Sequence, residues 1–166
     1  MKQITLLLVA CAFSLLAGGG SSAAKKSDNP AAEISAVLTD LDDAASKADY
    51  ERYFSHFAAD AVFLGTDATE HWTLAEFKTY TKARFANGSG WTYMMASRHI
   101  YFSEDQNVAW FDELLVNARY GQCRGTGVLV KENGKWKVSQ YHLTIPIPNE
   151  LAERVVAMIN KRAQPK

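Results

Sequence analysis

Asn133-Gly134 lies between two runs in which apolar and polar residues alternate, GTGVLVKE before it and KWKVSQYHLT after it. Asn-Gly tolerates the left-handed backbone that both central positions of a type I′ turn require, so the segment reads as a tight β-hairpin. A lone hairpin is marginal in water and needs more strands, or a helix, over one face. Two upstream runs supply strands: WTYMMASRHIYF reaches a turn at SEDQN, and VAWFDELLVNA reaches a turn near YGQ. The span from Trp91 to Thr144 is therefore expected to be a four-stranded antiparallel meander. Pro146 and Pro148 stop the last strand, and Asn149 opens a terminal helix carrying Leu151, Val155 and Ile159.

The part before the meander has helical spacing. Asn29-Pro30 can cap and open a helix in which Ile34, Val37, Leu38, Leu41 and Ala45 form one stripe. Asp49 can cap a short second helix with Tyr50, Tyr53, Phe54 and Phe57 as an aromatic stripe, read as core. DAVFLG is a short strand. Thr73 with Glu76 makes a capping box for a third helix carrying Leu74, Phe77, Tyr80 and Phe85, ended by NGSG. The order predicts an α+β fold, with helices packed on one side of a curved antiparallel sheet.

The start of the chain reads differently. A short basic segment, MKQ, precedes the apolar run ITLLLVACAFSLLA and then small residues, the pattern of a secretory signal peptide too short to span a membrane. Cleavage after Ala24 divides the chain into a signal peptide (1–24), a linker (25–29) and one domain (30–166), and predicts a secreted or periplasmic protein. The competing reading takes LVAC as a lipobox, which would tether the protein to a membrane through Cys11. With Cys11 removed, Cys123 is the sole cysteine and is read as a small buried hydrophobe on a strand. The 18 basic and 18 acidic residues cancel, which leaves no charge footprint for nucleic acid. No zinc-ligand spacing and no glycine-rich phosphate loop occurs, so neither a metal nor another cofactor is expected.

YFSHFAADAVFLGT, the TLAEF helix opening, NVAWFDE and GTGVLVKENGKWKVSQYHLTIP together resemble the SnoaL-like branch of the nuclear transport factor 2-like fold. The likeness covers nearly all of the chain after the signal. It implies a cone-shaped domain whose curved sheet wraps a pocket, and a homodimer formed through the sheet. It implies no single activity, because isomerases, cyclases, dehydratases and assembly modules share the fold.

A two-residue turn at Asn133-Gly134 pairs Leu129 with Val138, Gly127 with Gln140 and Gly125 with His142, putting Trp136, Val138, Gln140 and His142 on one face. Gly125 and Gly127 opposite Gln140 and His142 would leave room for a pocket floor, or only let the sheet curl. A turn at Gly121-Gln122 pairs Leu114 with Leu129 and sets Asp112 on that same face with Trp110. A turn at Asp105-Gln106 pairs His99 with Asp112 and Arg98 with Glu113, and a one-residue slip would pair Arg98 with Asp112 instead. The candidate pocket residues are thus Trp72 (at the entrance, by the resemblance), His99, Trp110, Asp112, Gln140 and His142. His99 with Asp112 equally reads as a pair fixing strand register. Glu113 should point the other way as a structural residue, and Arg124 should lie opposite His142. His56 and His71 read as surface residues.

Three functions fit. One is a binding domain for a small, largely apolar molecule. Another is an isomerase, cyclase or dehydratase in which Asp112 or His142 takes a proton next to a carbonyl. The third is a homodimerisation module with a vestigial pocket.

Overall fold

A computed structural model describes residues 29–163. The expected signal peptide and most of the linker lie outside those residues. Helix α1 (Pro30–Ser46) starts at Asn29, whose side chain accepts from the amides of Ala31 and Ala32, with proline in the first turn. Its buried stripe is Ile34, Leu38, Leu41, Ala44 and Ala45. Helix α2 (Tyr50–Ser55) is capped by Asp49. It stops before Phe57, which opens strand β1 (Phe57–Leu64) instead of closing the helical stripe. Strand β2 (His71–Thr73) leads through the Thr73–Glu76 capping box into α3 (Leu74–Ala86).

The meander follows as β3 (Met94–Phe102), β4 (Val108–Asn117), β5 (Gly121–Glu132) and β6 (Lys135–Thr144), then a 3-10 turn (Asn149–Leu151) and α4 (Ala152–Ala163). All six strands form one sheet in the order β2-β1-β6-β5-β4-β3. The sheet is antiparallel except where β1 runs parallel to β6. Asn133 and Gly134 both have positive φ, 49° and 76°, as a type I′ turn demands.

One core fills the space between α1, α2 and α3 and the concave face of the sheet. It includes Ile34, Leu38, Tyr53, Phe54, Phe77, Phe111, Leu129, Trp136 and Tyr141. Cys123 is fully buried on β5, as expected of a small hydrophobe. Helix α4 leaves Val156, Met158 and Ile159 more than half exposed. Among the described residues, no helix is long and apolar enough to cross a membrane.

Two registers differ from expectation, and together they decide which side chains face inward. The β4–β5 turn occupies residues 118–120, so Asn117 pairs with Gly121 and Leu114 with Arg124, rather than Leu114 with Leu129. In β6, Leu129 still pairs with Val138, but an irregularity at Ser139 makes the next partners Val128–Gln140, Gly127–Tyr141 and Gly125–Leu143. A bulge inserts one residue and reverses the facing of everything after it. Trp136 and Val138 therefore point inward and so do Tyr141 and Leu143, while Gln140 and His142 turn to the outer face.

Candidate functional site: an aromatic-walled cavity

A cavity of about 300 Å³ opens between the three N-terminal helices and the β1–β6 side of the sheet. That is the lower end of the size range of small-molecule sites. The rings of Phe63, Phe77, Trp72, Tyr80 and Trp91 form one wall. Phe63 and Phe77 stack at 3.9 Å, Trp72 and Tyr80 at 4.8 Å, and Tyr80 and Trp91 lie near parallel at 6.3 Å. Flat rings arranged this way offer large apolar area at little conformational cost. Phe63 comes from β1, Trp72 from the short β2 it pairs with, and Phe77 and Tyr80 from one face of α3. Tyr93 and Tyr120 border the same cavity from the loops beyond, together with Arg84 and Arg119. Arg84 lies 5.0 Å above the Trp91 ring and Arg119 lies 5.2 Å above Tyr120. Neither guanidinium has a carboxylate partner among the described residues.

The floor is polar. Arg98 on β3 and Glu113 on β4 are cross-strand partners, with side chains 3% and 1% exposed. Glu113 receives Arg98 Nε at 2.7 Å, Arg98 Nη2 at 2.6 Å and the Tyr141 hydroxyl at 2.8 Å. Arg98 Nη1 donates to the Ser35 carbonyl at 3.0 Å and to Thr39 Oγ1 at 3.1 Å, tying β3 to α1. Asp42, one helical turn beyond Leu38, completes the group: its Oδ2 receives Arg98 Nη2 at 3.3 Å. Burial and the neighbouring Glu113 charge push the Asp42 carboxyl up to about 7, against the opposing pull of Arg98. Tyr141 is held well above the usual tyrosine range by burial and by the same acids. Burial pushes Tyr93 up to about 12.

Of the residues expected in the pocket, Trp72 lines this cavity. The others fall on the outer face of the sheet. His99, Asp112, Thr126 and His142 make one row across β3, β4, β5 and β6, and Tyr101, Trp110, Val128 and Gln140 make the next. The expected pairing of His99 with Asp112 is present, Nδ1 to Oδ1 at 3.1 Å, but with side chains 61% and 40% exposed. Glu113, expected to face away, is the inward acid, and Asp112 is the outward one. Arg124 shares the outer face with His142 instead of opposing it. Gly125 and Gly127 do not leave empty floor. A β-carbon on Gly125 would lie 2.5 Å from the Tyr141 hydroxyl, and one on Gly127 would lie 2.3 Å from the Gln140 carbonyl. His71 is exposed as expected. His56 is not a free surface residue: its ring meets Asp40 at 2.7 Å and is half-buried, and burial lowers its pKa against the raising pull of Asp40.

Among the described residues, no cluster of His, Cys, Asp and Glu could hold a metal ion. Solved structures of low sequence identity share the fold. A nuclear transport factor 2-like protein of unknown function from Pseudomonas putida KT2440 superposes with a TM-score of 0.60 at 15% identity, covering 74% of this chain and 92% of that one. A candidate dehydratase of the same family from Streptomyces avermitilis gives 0.59 at 13% identity, over 70% and 96% of the two chains. A candidate scytalone dehydratase from Novosphingobium aromaticivorans gives 0.60 at 13% identity, over 70% and 84%. No curated protein matches the chain. Residues 34–148, which contain the meander, the aromatic wall and the acidic floor, match the SnoaL-like domain family, and the chain belongs to that family.

Proposed function

We propose that this protein is an exported binding domain for a small, largely apolar molecule that lies against the stacked rings of Trp72, Tyr80 and Trp91. The observation that carries the reading is the cavity itself, walled by aromatic rings while the charged groups sit at its floor and mouth. A thermal-shift titration with tetralin, a neutral ring hydrocarbon, tests it. Saturation at 100 times Kd should stabilise the fold by about 2.7 kcal/mol. Trp72→Ala should abolish the shift, whereas His142→Ala, on the outer face, should leave it unchanged. No shift with tetralin or similar apolar ring compounds at any concentration they reach would overturn the reading.

A second feature supports a homodimer through the sheet. Trp110 and Tyr101 stack at 6.0 Å on the outer face and are 44% and 46% exposed, and Met94, Val108 and Val116 on the same two strands and the same face are also exposed. Apolar area of this kind on a sheet face favours covering by another molecule. Sedimentation should give twice the monomer mass for the wild type and the monomer mass for Trp110→Asp. A wild-type monomer at high concentration would overturn this part.

A further inference from the structure

The acidic floor holds one carboxylate more than it has cations. Arg98 has five N–H donors, and they go to Glu113, Ser35, Thr39 and Asp42. Glu113 takes the short, two-point contact and the tyrosine hydroxyl as well. Asp42 receives only one long bond, on Oδ2, and among the described residues no hydrogen bond reaches its Oδ1. Yet Asp42 is the one of the two carboxylates that borders the cavity, beside the Tyr141 ring, with a side chain 21% exposed. The other groups facing it are Arg98 from β3, Glu113 from β4, Tyr141 from β6 and Tyr53 from α2. Two of these are phenols held above their usual range by burial, so neither relieves the excess charge.

Resting on the reading of the cavity as a ligand site, we infer that Asp42 presents a protonated carboxyl to the bound molecule and donates a hydrogen bond to an acceptor oxygen on it. The ligand class is then an apolar ring molecule bearing a carbonyl or similar acceptor, with that oxygen toward the floor. A neutral Asp42 removes the surplus charge beside the Arg98–Glu113 pair, and among the described residues its carboxyl is hydrogen-bonded only to Arg98. The elevated Asp42 value is consistent with the carboxyl holding its proton up to near neutral pH. An ammonium ligand would meet two cations, Arg84 and Arg119, which have no carboxylate partner among the described residues, against the single further acid of the lining, Glu70.

Three molecules of one shape test this: tetralin, 1-tetralone and 1-aminotetralin, with affinities measured by calorimetry below about pH 6 and above about pH 8 on the wild type. The ketone should outbind the hydrocarbon by about tenfold at the lower pH, the worth of one well-placed hydrogen bond. The advantage should vanish at the higher pH, where Asp42 is ionised and repels the carbonyl oxygen. Asp42→Asn, which keeps a donor but no titrating proton, should hold the ketone preference at both pH values. Tetralin binding with no ketone preference, or with a preference that ignores pH, overturns the assignment of Asp42 and leaves the pocket standing. The amine binding best, and more tightly as pH rises, overturns the ligand class. Failure of all three to bind overturns the pocket and Asp42's role together.

Discussion

Arg98 and Glu113 meet across the β3–β4 ladder through two contacts of 2.6 and 2.7 Å, with both side chains out of reach of water. Because Arg98 also reaches the Ser35 carbonyl, this pair binds the concave face of the sheet to α1 as well as one strand to the next. The group acts as a pin between two layers, and the Asp42 side of the cavity is built around it.

Breaking that pin from one side should be costly. Glu113→Ala would take both short contacts from the buried guanidinium, leaving Asp42, at one long bond, as its only carboxylate partner among the described residues, and release the Tyr141 hydroxyl, for an expected loss of about 3–5 kcal/mol in urea unfolding. Replacing both partners with apolar residues, as Arg98→Met with Glu113→Leu, removes the unpaired charge and should cost much less than the single change. A double variant as unstable as Glu113→Ala, or a single variant near wild type, would show that the pair is not holding the layers together.

The Asp42 carboxyl makes stability depend on pH in an uncommon direction for an acid. Its folded value of about 7 lies above that of an ordinary aspartate, so between about pH 4 and about pH 7 the folded chain keeps a proton that the unfolded chain has lost. Its contribution is complete below about pH 4 and is lost as the pH rises to 7. Asp42→Asn cannot titrate and should gain on the wild type across that window by an amount on the order of 4 kcal/mol. Parallel unfolding curves at pH 4.5, 6 and 7.5 measure the gap directly. A gap that stays constant across the three would contradict it.

Much of the fold was legible because its signals are local. The Asn133-Gly134 turn, the Asn29-Pro30 helix start and the Thr73–Glu76 capping box depend on a few adjacent residues, and each is present. Parity along the strands was harder to read. On β4, Ala109, Phe111 and Leu115 face inward while Trp110, Leu114 and Val116 face outward, so both faces look apolar and alternation cannot rank them. On β6 a sign was available: apolar residues at 136 and 138 and then at 141 and 143 change phase, as a bulge requires. Asp42 had a sign too, since Ile34, Leu38 and Asp42 succeed one another at four-residue spacing and place an acid in the apolar stripe of α1. What the sequence could not supply is Arg98 reaching Glu113 and α1 at once, which depends on three elements far apart in the chain.

The strand glycines pack against neighbours, which makes their replacement a test of the observed register. On Gly127, an added methyl would press on the Gln140 carbonyl of the adjacent strand and on the Phe111 ring at 2.7 Å. The carbonyl belongs to the ladder and cannot swing aside, so Gly127→Ala should cost about 1–3 kcal/mol by overpacking. Under the expected register, with open floor at this position, the same change would be tolerated. Urea unfolding of the single variant separates the two arrangements.

Thr81 tests the core from another side. It lies on α3, fully buried, and its hydroxyl oxygen has no hydrogen-bond partner among the described residues. A buried unpaired hydroxyl carries a desolvation cost with no compensating bond. Valine has nearly the same shape and, like threonine, a branched β-carbon, so helix propensity changes little on replacement. Thr81→Val should therefore stabilise the fold by about 1 kcal/mol, whereas Thr81→Ala removes packing atoms as well and should gain less or lose. A Thr81→Val variant less stable than wild type by a similar amount would mean that the hydroxyl is satisfied in solution, most simply by a buried water molecule between α3 and its neighbours.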